Sequence, residues 1–417
     1  MARLQDGREH CPVVDFDHWS HEYAKSPDDF NLRYSAKCPV GYSEHHGGYW
    51  FVTGYPELSE VVHDDETFSS RHDLPNGSTP YLGTQHPPTP FRVAPLESDP
   101  PEHSLWRTGL AGHFSPKAVA RYLPWIRDLA DQLIDEHIES GSIDLLNDLT
   151  SPLASTVNMK ILGVPVERGP EFGHLSHAIA FTSPATPEFA RIYADYQNAV
   201  SSLEEILHER RADPRDDVIS LLAHMDFGGR KLTDAEAMEA LDLIVSAGID
   251  TTASGMASAL KYLDDHPDQR RKLIDDPGLI PKAAEEFLRY FSPVQVLART
   301  ATRDTEIGGQ RIREGERVLV SWQAANLDER VFPDPTTVRF DRFPNRHAAF
   351  GLGVHRCLGA HIARADLRVV LTEVLSRMPD YSLAEGVRGY DCIGVVRGFV
   401  SLPATFTPGR RVGAKAD

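Results

Sequence analysis

The chain has 417 residues, enough for one large domain or two or three ordinary ones, and its formal charge of −18 disfavours nucleic acid or an anionic membrane as main partner, since both reward a basic surface. Its four cysteines, Cys11, Cys38, Cys357 and Cys392, are too few and too scattered for a disulfide framework, so a reducing cytoplasm is the expected compartment. Met1 to His10 is polar and charged, and no stretch reaches the roughly 18 to 20 apolar residues of a membrane span, so neither signal peptide nor anchor is expected.

Taken in order, Cys11 to Lys37 reads as a loop with a short helix, and Gly48 to Thr53 as a strand. Pro56 then opens a helix with Leu58, Val61 and Val62 on one face. Eight prolines between Leu74 and Pro101 exclude helix and sheet interior, which predicts a long irregular segment of the kind that forms lids and binding walls. His103 and Arg107 follow, four apart on one helical face, where two donors can hold a carboxylate or simply meet solvent. Helical patterns run from Lys117 to Glu139, Leu145 to Leu162 and Phe172 to Ala180. Ser183 to Pro187 then breaks the pattern, and a further helix extends from Glu188 to Arg211.

Thr233-Asp234-Ala235-Glu236 has the spacing of a capping box, and the pattern it opens continues to His266-Pro267, about 31 residues or roughly 47 Å of helix. Within it, Ser246-Ala247-Gly248-Ile249-Asp250-Thr251-Thr252 interrupts an apolar run. Gly248 lowers helix propensity, and the Asp250 and Thr251 side chains either bond back to the backbone, opening the ladder, or form a solvent-facing turn. Glu286 and Arg289 stand i and i+3, facing each other across one turn. Short strands follow from Val294 to Thr302, at Arg311 to Ile312 and from Val318 to Val320, and Gly394 to Gly398 reads as a tight hairpin.

The stretch Phe350-Gly351-Leu352-Gly353-Val354-His355-Arg356-Cys357-Leu358-Gly359 places one cysteine between a glycine-punctuated loop and an apolar helix beginning at Leu358. A thiolate there would be stabilised by the helix dipole and by unpaired N–H groups. A dinucleotide loop fails because Arg356 occupies the third glycine position, and a zinc site fails for want of a second Cys or paired His at the right spacing.

Phe350, Gly353, Cys357 and Gly359 resemble the haem-binding signature of the cytochrome P450 family. Ala247, Gly248, Asp250 and Thr251 are similar to its oxygen-activating motif, and Glu286 and Arg289 to its structural ExxR pair, with Arg342 as the third member. The resemblance implies a mainly α fold with a small β region, a single domain over residues 1–417 and a long central helix over haem b. It makes Cys357 the axial iron ligand and places His103, Arg107, Arg299 and His355 around the haem propionates. Thr251 would hydrogen-bond oxygen at the iron and Asp250 would relay protons. Leu243, Ser246, Ala247, Gln295, Val296, Leu297, Val395 and Val396 would line the substrate pocket, beside the proline-rich segment and the break near Phe181, where the family has its access lid; Arg397 would be a candidate partner for a substrate carboxylate.

The implied reaction inserts one atom of O2 into a small-to-medium hydrophobic molecule by hydroxylation, O-dealkylation or epoxidation. No flavin domain or iron–sulfur cysteine cluster is present in the sequence, so electrons from NAD(P)H would arrive through a reductase and ferredoxin, with Arg107, Arg342, Arg346, Arg356, Arg364 and Arg368 available to dock an acidic partner. A monomer is expected. A peroxide-driven peroxygenase, a haem-thiolate lyase or isomerase, or a non-enzymatic haem sensor would not need the Asp250–Thr251 pair.

Overall fold

The capping box forms as its spacing predicts: the Thr233 hydroxyl accepts the Glu236 N–H at 3.2 Å, and the Glu236 carboxylate accepts the Thr233 N–H at 2.8 Å. From that cap the central helix runs 32 residues, Asp234–Asp265, burying Leu241, Val245, Ile249, Ala253, Met256, Leu260 and Leu263 at three- and four-residue intervals. The structure, a computed structural model, describes residues 13–37, 39–72, 83–88, 92–182, 186–390 and 393–412. Cys11, Cys38, Cys392, residues 74–82 and 89–91 of the proline-rich segment and the centre of the break after Phe181 lie outside the described residues.

The helices that frame the site are α1 (Glu102–Leu110), α2 (Ser151–Leu162), α3 (Gly169–Phe181), α4 (Pro187–Ser201), α5 (Asp234–Asp265), α6 (Ile280–Phe291) and α7 (Ala360–Arg377). The central helix α5 packs against α2, α3, α6 and α7, so it meets the rest of the helical layer along its length. By length and composition α5 is apolar enough to cross a membrane, but its apolar residues fill the core.

Two predicted helices are broken where proline removes a ladder N–H. The segment from Lys117 divides into Pro116–Ala120 and Leu123–His137, restarting at Pro124, and the segment from Leu145 begins as a π turn, Leu145–Thr150, before Pro152 sits in the first turn of α2. The helix expected to run on to Arg211 is likewise two, α4 and Leu203–Ala212.

The main sheet has strands β1 (Val40–Ser43), β2 (Tyr49–Val52), β3 (Phe68–Ser69), β4 (Val296–Ala301) and β5 (Arg317–Ser321) in the order β1-β2-β5-β4-β3. Only β2 and β5 pair parallel, with Trp50 opposite Val318. The β4–β5 pair sets Arg299 opposite Val318 and Leu297 opposite Val320. This sheet has its own apolar cluster around Val52, Val61, Val318 and Val320, separate from the larger cluster of the helices.

Candidate active site

One cavity lies between the helical layer and the sheet. α1 contributes His103 and Arg107, α2 contributes Asn158, α5 contributes Leu243, Ala247, Gly248 and Thr251, β4 contributes Leu297 and Arg299, and the loop before α7 contributes Phe350, His355, Cys357 and Gly359. That loop is tied by its own backbone, the Cys357 N–H donating to Phe350 O at 2.7 Å and the Gly351 N–H to Ala348 O at 2.8 Å. Gly351 and Gly353 take φ of +71° and +67°, the left-handed region, and a Cβ on Gly353 would stand 2.1 Å from Val62 O. Cys357 has accessible surface, and because it lines this deep cavity the exposure is that of the cavity wall. Burial pushes its thiol up, against the opposing pull of the Gly359 N–H and of Arg107, Arg364 and Arg356. The helix-end stabilisation expected from the sequence is thus outweighed by desolvation until a cation is supplied, and α7 itself begins at Ala360, two residues after Leu358.

Four nitrogen-bearing side chains gather at one edge of the cavity. The His103 and His355 rings are 4.1 Å apart, and His355 Nε2 is buried without a hydrogen-bond partner among the described residues. Burial lowers His103 to about 4 and His355 to about 2, so both are neutral imidazoles at pH 7. Arg299 is buried and lowered to about 10 by desolvation, which leaves it cationic, and burial also lowers Arg107. Among the described residues no ion pair joins these four to a carboxylate, so the edge is a ready receptor for anions.

On α5 the Thr251 hydroxyl donates to Ala247 O at 2.7 Å, the back-bonded arrangement foreseen from the sequence. Asn158 Nδ2 donates to Ile244 O at 2.9 Å and crosses the helix at Gly248, where a Cβ would lie 2.0 Å from that nitrogen. Asp250 turns away from solvent and accepts at Oδ1 from the Tyr390 hydroxyl at 3.0 Å, with His177 Nδ1 at 3.2 Å. Sequence reading missed Asn158, His177 and Tyr390, because each reaches α5 from a distant part of the chain. It also missed Asp366, a buried carboxyl on α7 that lines the cavity, has Oδ1 unpartnered among the described residues, and is held well above the usual carboxylate range by burial.

Glu286 and Arg289 are fully buried, and Arg342 joins them. Arg289 donates to both Glu286 oxygens at 2.8 and 2.9 Å and to Asn326 O and Pro335 O; Arg342 Nε donates at 2.9 Å. Glu285 grips the other side of the cysteine loop through His347 at 3.2 Å and Arg364 at 2.7 Å; burial would raise its carboxyl, but these bonds bring it down to about 2.

Several expected pocket residues lie elsewhere. Side chains alternate along β4, so Leu297 and Arg299 face the cavity while Val296 packs on the opposite face with Phe16 and Tyr23. Gln295 is buried, donating to Phe291 O at 3.0 Å and accepting from the Tyr23 hydroxyl at 3.1 Å. Ser246 donates to Asp242 O at 2.9 Å on an exposed face of α5, and neither it nor Val395 nor Val396 lines the cavity; the last two bond instead to the 293–296 segment. Arg397 is held by Asp28 at 3.0 Å and is not available for a substrate carboxylate. Of the arginines expected to dock a partner, Arg342 and Arg364 are taken by glutamates and Arg107 faces the cavity; Arg346, Arg356 and Arg368 are exposed, although Arg356 also lines the cavity and Arg368 lies 3.6 Å from Glu285.

A flat iron macrocycle bearing two carboxylates fits this donor set. The thiol offers a soft ligand, Gly359 keeps the adjacent wall bare, with a Cβ there only 4.0 Å from Sγ, and the cationic edge matches the carboxylates. Comparison with known proteins agrees. Residues 46–276 and 279–379 match the family description "Cytochrome P450". The biotin biosynthesis cytochrome P450 of Bacillus subtilis (strain 168) is 33% identical over 93% of this chain and 98% of its own length. The steroid C26-monooxygenase of Mycolicibacterium smegmatis is 33% identical over 86% of this chain and 87% of its own. The crystal structure of P450BioI with a hexadec-9Z-enoic acid-ligated acyl carrier protein superposes with a TM-score of 0.81 at 33% identity, covering 92% of this chain and 100% of that one. The chain therefore belongs to the cytochrome P450 family and is a monooxygenase of that family.

Proposed function

We propose that residues 1–417 work as one haem b domain that inserts one oxygen atom of O2 into a small-to-medium hydrophobic molecule, with electrons passed from NAD(P)H through a reductase and a ferredoxin. The observation that carries this reading is that Cys357 and Thr251 line a single, mostly apolar cavity whose edge holds His103, Arg107, Arg299 and His355. Haem b, when bound, supplies the reductive activation of O2, which an electron-rich thiolate ligand favours. Cys357 would be that ligand, releasing its proton to solvent as the thiolate binds, and the two arginines and two histidines would hold the carboxylates. Thr251, with its proton given to Ala247 O, keeps its oxygen lone pairs for accepting a hydrogen bond, and Asp250 would move protons toward it.

Leu243, Ala247, Val294 and Leu297 favour an apolar substrate and exclude water. The steroid and acyl-chain relatives fit that class. Arg346, Arg356 and Arg368 would meet an acidic ferredoxin. The test is spectroscopic: reduced holoenzyme under carbon monoxide should show a red-shifted Soret band that Cys357→Ala abolishes, and retention of the band in that variant would end the reading. Titrating the holoenzyme against steroids, fatty acids and smaller terpenes by spin-state change then narrows the substrate. Turnover with peroxide alone, equal to that with a ferredoxin system, would favour a peroxygenase.

A further inference from the structure

Asp250 is one corner of a buried triangle built from three distant parts of the chain: Asp250 on α5, His177 on α3 and Tyr390 ahead of the C-terminal loop. Their exposures are 5%, 7% and 3%. Asp250 Oδ1 lies 3.2 Å from His177 Nδ1 and 3.0 Å from the Tyr390 hydroxyl, and that hydroxyl is 3.1 Å from Nδ1. The second ring nitrogen, Nε2, is 3.3 Å from Val400 O.

Proton inventory restricts what this triangle does. A carbonyl only accepts, so Nε2 carries a hydrogen. If Nδ1 also carries one it donates to Asp250 and the ring is a cation; if Nδ1 is bare it accepts from Tyr390. The tyrosine has one proton, directed either at Asp250 Oδ1 or at Nδ1. Its orientation is therefore linked to the charge of the ring.

We propose that His177 is the positioning residue that loads Asp250 with a proton, with Tyr390 as the hydrogen-bond switch. The Nδ1–H bond breaks and an O–H bond forms on Asp250; imidazolium becomes imidazole and carboxylate becomes carboxylic acid. Tyr390 turns its O–H from Oδ1 to the vacated Nδ1. No electrons are exchanged, and solvent returns the proton to Nδ1. The proton arrives on Oδ1, the oxygen that faces Nδ1. Asp250 Oδ2 has no hydrogen-bond partner among the described residues, so rotation of the carboxyl that exchanges the two oxygens brings the new O–H to that free position, from which the proton moves onward.

The surroundings suit the roles. Burial would lower His177, but the Asp250 contact, with support from Val400 O and the Asp144 charge, raises it above 6.5. Burial and the Asp250 charge hold Tyr390 well above its ordinary range, so it swings rather than ionises. Among the described residues, the ionisable groups that act on the imidazole include Asp250 from α5, Asp144 from the segment before α2, and Tyr390.

This proposal rests on Asp250 passing protons, and the experiment separates the two. In the diamagnetic CO-bound holoenzyme, the imidazole resonance missing from His177→Phe should titrate above 6.5 in wild type and at lower pH in Asp250→Asn. With electrons from a ferredoxin and its reductase, O2 consumption between pH 6 and 9 should show an inflection that His177→Phe and His177→Asn both lose, with a fall of about tenfold or more and a larger solvent isotope effect. Tyr390→Phe should keep the inflection and slow the rate. Should Asp250→Asn leave rate and isotope effect unchanged, the reading of Asp250 itself fails. A slow Asp250→Asn beside histidine variants with the wild-type profile, and an imidazole titration indifferent to Asp250→Asn, would overturn the role of His177.

Discussion

Replacing Glu286 with alanine removes the anion at the centre of the buried cluster. Five donor groups converge on it: Arg289 Nε and Nη2, Arg342 Nε, the Arg339 N–H and Asn345 Nδ2, at 2.8 to 3.1 Å. Without it, two guanidiniums with 0% and 5% side-chain exposure face each other uncompensated. Breaking a buried pair in this way costs about 3–5 kcal/mol. For 417 residues the unfolding entropy is roughly 0.9 kcal/mol/K, so the apparent Tm should fall by about 5 °C. Arg289 also carries Asn326 O and Pro335 O, and Arg342 carries Pro333 O, so the segment leading to the cysteine loop should loosen as well. Glu286→Gln, which keeps the shape and one acceptor, should fall between alanine and wild type. Calorimetry of the holoenzyme beside its CO difference spectrum reads both effects. An unchanged Tm with a full-height Soret band in Glu286→Ala would refute the claim that this carboxylate holds the loop.

Three further outcomes follow from single contacts. Gly248→Ala gains about 1 kcal/mol of helix propensity but forces Asn158 off Ile244 O, so it should stabilise an Asn158→Ala background by about 1–3 kcal/mol more than wild type; an additive double-mutant cycle would contradict this. Arg299→Leu should leave the apoprotein as stable or more so, because it removes a buried guanidinium lowered to about 10, yet release haem faster to apomyoglobin; unchanged haem transfer would remove Arg299 from the carboxylate edge. Asp366 stays protonated in the fold while the unfolded chain ionises above about 3.8, so its contribution to stability is lost as pH rises above that value. Asp366→Asn should therefore gain on wild type from pH 4 toward pH 8, and a pH-independent difference in Tm would show that the carboxyl is not held neutral.

What was legible beforehand came from local spacing. The capping box, the length of α5, the back-bonded Thr251 and the glycines flanking Cys357 are properties of a few consecutive residues, and short-range sterics and hydrogen bonds decide them. Four separated motifs in the right order also identified the fold class and the family. The parity of β4 was not legible, because Val296 and Leu297 are equally apolar and only the pairing with β5 determines which of them meets the cavity. Likewise Arg397 reads as a free cation until the fold brings Asp28 to it across the chain, and nothing near Asp250 in sequence announces His177 or Tyr390. Partners for a buried charge are chosen by packing between remote segments, so the sequence alone determined the site's reactive groups, and the tertiary structure decided which of them are paired, which are left over, and which face the cavity.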